Sequence, residues 1–108
     1  MSEFTDYLHE VFNQFGSIQA RRMFGGYGIY HEGLMFALVA DEVLYLKADE
    51  ALARQFKAKG LPQFEYRKGN KMIKVSYYAA PADALEDAEE MARWARAAYQ
   101  VARHGKTE

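Results

Sequence analysis

Serine and histidine are the residue types through which this sequence could catalyse a reaction by nucleophilic attack. The candidates are Ser2, Ser17, Ser76, His9, His31 and His104. Such catalysis needs a nucleophile held beside a base, and none of these residues stands in a recognisable paired motif. The histidines also lack the i, i+4 spacing of a helical metal pair, and no cysteine is present to complete a zinc site. The sequence therefore predicts a protein that is not an enzyme, with no catalytic residue, no metal, no cofactor and histidines that face solvent.

The glycine-rich stretch Gly25-Gly26-Tyr27-Gly28 could be taken for a loop that binds phosphate. Phosphate loops of that type follow a strand and open a helix whose N-terminus faces the anion. Here a strand-like run follows instead. We therefore interpret the glycines as structural, because they allow a tight turn or bulge with positive φ and let aromatic neighbours pack close to the backbone.

The basic side chains are concentrated between residues 51 and 75, although the whole chain has a net charge of −1. They are Arg54, Lys57, Lys59, Arg67, Lys68, Lys71 and Lys74. Interleaved with Phe64, Tyr66 and Tyr77, they could form a nucleic-acid surface, on which cations contact phosphates and rings stack on bases. Lysines also protect exposed edge strands from aggregation, and the pI near 6.3 favours that interpretation. Nucleic-acid binding through residues 54–74 is thus the alternative function, not the favoured one.

Aromatic residues exceed what a core of this size must hold, with eight tyrosines, seven phenylalanines and one tryptophan. Tyrosine is enriched at protein interfaces because it combines contact area with a polar tip. We expect a protein interface on the strand-rich segment or on one side of the last helix, with Tyr27, Trp94 and Tyr99 as candidate residues. A two-fold homodimer is its simplest form.

The elements that would position these residues begin with a helix over residues 3–15, which Ser2 can cap and Gly16 can end. Four short apolar runs follow, separated by two or three turn residues. They are residues 19–24, 27–30, 34–39 and 43–47. Connections this short join only antiparallel neighbours, which predicts a meander. The run 34–39 is apolar on both sides, so we expect a central strand whose second face is covered by a helix or by a partner subunit.

The second half of the chain predicts a helix capped by Asp49 and a hairpin of residues 64–67 and 72–78. The pattern Asp83-x-x-Glu86 predicts a capping box that opens a long last helix. The fold class is therefore α+β, with an antiparallel meander sheet packed by helices in the order α-β(3–4)-α-β(2)-α. We expect one domain over residues 1–103 and a polar tail over 104–108. Without a signal-peptide pattern or a run of about 20 apolar residues, the expected location is the cytoplasm.

Residues 21–30, 33–39 and 44–47 together carry a family resemblance. The core of the pattern is Arg22-Met23-Phe24-Gly25-Gly26-Tyr27-Gly28. This pattern resembles the N-terminal domain of the TfoX/Sxy family, and the resemblance covers nearly the whole chain. The resemblance implies a secretion-chaperone-like arrangement and a link to the regulation of competence genes. Full-length members carry a further C-terminal domain, which this sequence is expected to lack. The predicted function is a non-enzymatic regulatory or protein-interaction module, a competence-type transcription co-regulator with a protein partner such as a transcription factor.

Overall fold

The computed structural model describes residues 3–23 and 25–106. Ser2 and Phe24, which the sequence patterns include, lie outside the described residues. The elements in chain order are α1 Glu3–Val11, β1 Gln19–Met23, β2 Gly26–His31, β3 Leu34–Ala40, β4 Val43–Lys47, α2 Glu50–Ala58, β5 Gln63–Lys68, β6 Lys71–Ala79, α3 Ala82–Leu85 and α4 Ala88–Lys106.

The strands form one six-stranded antiparallel sheet in the order β1-β2-β3-β4-β6-β5. Both residues of the β2–β3 turn have positive φ, 49° at Glu32 and 83° at Gly33. The same holds for the β3–β4 turn, with 52° at Asp41 and 60° at Glu42. Two-residue turns with positive φ at both positions match the twist of antiparallel strands. The predicted meander and the α+β class are therefore confirmed, and β3 is a central strand as expected.

One face of the sheet carries the helices, and we call it the helix face. Partners in an antiparallel register share a face, and Ile29, Ala37, Leu46 and Tyr78 lie opposite one another across four strands. The Phe56 ring of α2 stacks on Tyr78 with centroids 5.5 Å apart, and on Trp94 of α4 at 4.9 Å. The hydrophobic core therefore lies between the helix face and the three longer helices.

A second aromatic group closes the core beside α1. Phe36 lies 5.4 Å from Phe12, 5.0 Å from Phe15 and 6.3 Å from Tyr99, measured between ring centroids. Phe12 and Phe15 follow the end of α1 at Val11, because the chain turns there instead of continuing the helix to residue 15. The backbone N–H of Gly16 donates to the Phe12 carbonyl at 3.0 Å and closes this turn.

The prediction that all three histidines face solvent is wrong for His31. Its ring lies 4.7 Å from that of Phe15 and 4.9 Å from that of Tyr99, and its side chain is only 16% exposed. Its Nδ1 lies 2.6 Å from the carbonyl oxygen of Ser17. The physical reason is register: His31 ends β2 opposite Leu34 and therefore points to the helix face.

The start of the last helix also differs from the prediction. Asp83 lies in the short α3, and the cap residue of that helix, Pro81, makes no side-chain hydrogen bond. The long helix α4 begins at Ala88, where the Asp87 carboxylate accepts from the backbone N–H groups of Glu89 at 3.0 Å and Glu90 at 3.3 Å. The predicted cap of α2 is confirmed, since Asp49 accepts from the Leu52 N–H at 2.9 Å.

Candidate interaction surface

The second face of the sheet has no helix over it in the described part of the chain, and we call it the open face. Register sets its members, because Gly28, Leu38, Tyr45 and Ala79 lie opposite one another on the side away from Ile29 and Tyr78. Its large apolar and aromatic side chains are Met23, Tyr30, Met35, Leu38, Val43, Tyr45, Phe64, Tyr66, Ile73, Val75 and Tyr77. β3 is thus covered by helices on one side only.

Three rings form a continuous row on the open face. The centroids of Tyr45 and Phe64 are 5.0 Å apart, and those of Phe64 and Tyr66 are 6.3 Å apart with planes 30° from parallel. Tyr45 and Phe64 come from β4 and β5, which are separated by β6. Their rings meet over β6, where Ala79, opposite Tyr45, has a small side chain that leaves room for the Tyr45 ring. Tyr66, at the outer end of the row, is 42% exposed.

Every charged side chain at a strand position of the open face is basic. The Arg21 guanidinium lies 4.7 Å from the Tyr30 ring centroid, and the Lys47 ammonium lies 5.1 Å from that of Tyr77. Cations over aromatic faces are attracted by the ring quadrupole. Lys68 and Lys71 lie opposite each other at the tip of the β5–β6 hairpin and share this face. The open face is therefore both aromatic and cationic.

Tyr77, on the open face, has a clearly shifted pKa. Burial, followed by the electrostatic influence of Tyr30, raises the pKa of Tyr77 from 10.0 to about 12. The residue is 9% exposed, although no helix covers it, because the neighbouring side chains of the open face pack around it. The shift therefore keeps the Tyr77 hydroxyl protonated at alkaline pH values at which an exposed tyrosine ionises.

The seven basic residues of segment 54–74 do not share one surface. Arg54 and Lys57 lie on α2 and Lys59 at its C-terminal cap, and α2 packs on the helix face. Arg67 and Lys74 also belong to the helix face, since they alternate with open-face residues along β5 and β6. The structure brings Lys68 and Lys71 to the open face, where they join Arg21 and Lys47 from outside the segment.

The three candidate interface residues all contribute to the core. Trp94 is 8% exposed, and its Nε1–H donates to Glu90 Oε2 at 3.2 Å. Tyr99 contacts the rings of Phe36 and His31, and Tyr27 packs half-buried against the core on the helix face. An interface role for them stays a prediction. The open-face residues Tyr30 and Tyr45 were not among the candidates, and the signal that could have found them is the period-two alternation of a strand.

The glycine motif serves the sheet. Gly25 has a φ of 79° between β1 and β2, a conformation that side chains rarely adopt. Gly26 and Gly28 lie within β2. A Cβ on Gly26 would overlap the backbone carbonyl oxygen of Val39, and a Cβ on Gly28 would lie 2.8 Å from the sulfur of Met23. The absence of side chains here lets β3 approach β2 and lets open-face side chains lie over the strand.

Residues 3–23 and 25–106 contain no group of three or more His, Asp or Glu side chains placed to hold a metal ion. The surface has two shallow depressions, one lined by Glu3, Phe4, Tyr7 and Glu42 and the other by Arg22, Gly25, Gly26 and Tyr27. Within the same described ranges, none of the helices is apolar over the length that a bilayer crossing requires.

A comparison with protein families matches residues 10–102 to the model of the TfoX N-terminal domain. The chain belongs to this family. The resemblance seen in the glycine motif is thereby confirmed over almost the whole sequence, and the motif's described glycines have the structural contacts given above. In this family member, β1 to β4 form the meander, which makes up part of the open face.

Two curated relatives were found. The chain is 30% identical over 78 residues to DNA transformation protein TfoX1 of Aliivibrio fischeri, an alignment that covers 72% of this chain and 37% of the relative. It is 34% identical over 71 residues to DNA transformation protein TfoX of Haemophilus influenzae, covering 65% of this chain and 33% of the relative. The matched region thus spans about a third of each relative.

Proposed function

We propose that this chain is a non-enzymatic regulatory module that takes part in the control of DNA transformation. The observation that carries the proposal is the family match over residues 10–102, together with two relatives that are named DNA transformation proteins. Because the alignments cover about a third of each relative, the activity of those whole proteins is extended to this chain only as part of the proposal.

The contacts of the described serines and of His31 support a role without catalysis. Ser17 contacts His31 through its backbone carbonyl oxygen, not through its hydroxyl. The Ser76 hydroxyl donates to the carbonyl oxygen of Ala48, and so ties β6 to the segment between β4 and α2. These contacts are structural and do not pair a nucleophile with a base.

A regulator without catalytic groups acts by binding, and we propose a cytoplasmic protein partner, with a transcription factor as the expected class. A two-fold homodimer is a second protein partner that we keep as a prediction. Light scattering during gel filtration tests the homodimer, and a molecular mass of 12.4 kDa for the species in solution would contradict it.

Deletion of the gene for this chain in its native organism tests the regulatory role. We expect a lower transformation frequency and lower transcript levels of DNA-uptake genes, both restored by a plasmid copy. Unchanged transformation under conditions in which the parent strain takes up DNA would contradict the proposal.

A pull-down tests for the protein partner, with the 108-residue chain immobilised and exposed to lysate with and without nuclease treatment. We expect a protein to be retained after nuclease treatment, and to form a complex with the purified chain in gel filtration. Retention that depends on intact nucleic acid, or no direct complex, would contradict a protein partner. Nucleic-acid binding remains the second candidate function, and the rings and cations of the open face favour it.

A further inference from the structure

We propose that the open face binds single-stranded DNA, with bases stacked on its aromatic rings and phosphates beside its four cations. This inference goes beyond the proposed regulatory role and does not depend on it. It also differs from the prediction for residues 54–74, because only Lys68 and Lys71 of that segment lie on the open face.

The rings supply the contacts to the bases. Tyr45, Phe64 and Tyr66 form a row with successive centroids 5.0 and 6.3 Å apart. The outermost ring is the most accessible, since Tyr66 is 42% exposed. Aromatic side chains that present rings on a surface stack with unpaired bases of any sequence, at about 1–3 kcal/mol per base.

The cations supply the contacts to the phosphates. Arg21 lies over the Tyr30 ring and Lys47 over the Tyr77 ring, while Lys68 and Lys71 lie at the tip of the β5–β6 hairpin. No Asp or Glu occupies a strand position of this face in the described chain. A surface with cations and no carboxylates matches an anionic polymer.

The same charges argue against a second copy of the chain on the open face. A face-to-face dimer would place the four cations of one protomer against the four of the other, and like charges across an interface are costly. An anionic partner neutralises these charges. Charge complementarity therefore selects a polyanion over a homodimer at this surface.

The rings select an unpaired strand, because the bases of a duplex are stacked inside it and present only their edges. The polar groups at strand positions of the open face are tyrosine hydroxyls, Gln19 and the four cations. Proteins that select RNA contact its 2′-hydroxyl, whereas the stacking and phosphate contacts that this face supplies do not require that group. We therefore assign DNA as the ligand.

Fluorescence anisotropy with a labelled oligothymidylate of about 20 nucleotides, longer than the site of one small domain, tests the proposal on the full chain. We expect Tyr66→Ala to weaken binding about 5- to 150-fold, the range that corresponds to one lost stacking contact. Tyr7→Ala is the matched control, because Tyr7 is 40% exposed but lies on α1, on the other side of the sheet. This control should bind as the unmodified chain does.

A second pair of variants tests the cations. Lys71→Glu should weaken binding, whereas Lys57→Glu on α2 changes charge by the same amount on the other side of the sheet and should not. The logarithm of the affinity should fall with the logarithm of salt concentration with a slope of about −3, as four neutralised phosphates predict. Unfolding temperatures measured for all four variants should stay near that of the unmodified chain.

Several results would overturn the proposal. They are the absence of salt-dependent binding to the oligothymidylate, equal losses in the control variants, tighter binding to a duplex of the same length, or tighter binding to oligouridylate. A dimer in light scattering that Lys71→Glu and Tyr66→Ala dissociate would assign the open face to a second copy and also overturn it. None of these results bears on transformation frequency in a gene deletion, so failure here and failure of the regulatory role are distinguishable.

Discussion

Replacement of Gly26 by alanine tests whether the glycine motif is structural. The added Cβ would overlap the Val39 carbonyl oxygen and lie 3.1 Å from the carbonyl carbon and 3.4 Å from the Ala40 Cα. These are backbone atoms, so relief requires β2 and β3 to move apart by roughly 1 Å, the scale of the overlap. Overpacking of this kind costs about 1–3 kcal/mol, and weakened ladder hydrogen bonds add about 1 kcal/mol. We expect the free energy of unfolding to fall by about 2–4 kcal/mol.

Urea and thermal unfolding followed by circular dichroism measure this change. For a domain of this size the expected loss lowers the midpoint of thermal unfolding by about 10–25 °C. Gly105→Ala is the matched control, since nothing lies within 4 Å of a Cβ there and the residue is within α4. Alanine in a helix should leave stability unchanged or raise it by up to about 1 kcal/mol. A Gly26→Ala protein as stable as the control would refute the argument from strand approach.

Two further predictions concern Tyr77 and the helix caps. Folding raises the pKa of Tyr77 from 10.0 to about 12, so the folded state favours the protonated phenol. The resulting contribution to the free energy of unfolding is complete below pH 10 and is lost as the pH rises through about 12. Over that pH window, the free energy of unfolding measured by chemical denaturation should fall by about 2–3 kcal/mol more for the unmodified chain than for Tyr77→Phe. Parallel curves of unfolding free energy against pH for the two proteins would contradict the shift. Asp87→Ala should lower the free energy of unfolding by about 1 kcal/mol, because the cap of α4 is lost, and Asp83→Ala should lower it by less. A larger loss for Asp83→Ala would instead support the capping box that the sequence predicted.

The sequence predicted those parts of the fold that are decided locally. The meander followed from connections of only two or three residues, and the α2 cap from an aspartate three residues before Leu52. The last helix was different because Asp83 and Asp87 both satisfy the pattern of a cap residue. Packing decided between them, since α3 buries Ala84 to 1% exposure and the chain must turn again before α4 begins. No local pattern contains that information.

The candidate site was harder to predict because it depends on strand register. A shift of one residue moves a side chain to the opposite face. His31 was expected in a turn and in solvent, but β2 extends to it and directs its ring to the helix face. The basic segment looked continuous in sequence, but alternation along β5 and β6 sends Arg67 and Lys74 to one face and Lys68 and Lys71 to the other. Arg21 and Lys47 join the latter pair only through pairing across the sheet.

The strand order has a consequence for how the chain folds. β1 to β4 are neighbours both in sequence and in the sheet, so their hairpins close small loops and form quickly. The pairing of Tyr45 with Ala79 is different, because it joins β4 to β6 across α2 and β5 and pays the entropy of a longer loop. We expect this pairing to form late. Until it does, the edge of β4 has unpaired backbone groups, and an unpaired edge is where strands of different molecules associate. Synthesis that stalls before β6 is complete should therefore leave a chain that aggregates through β4.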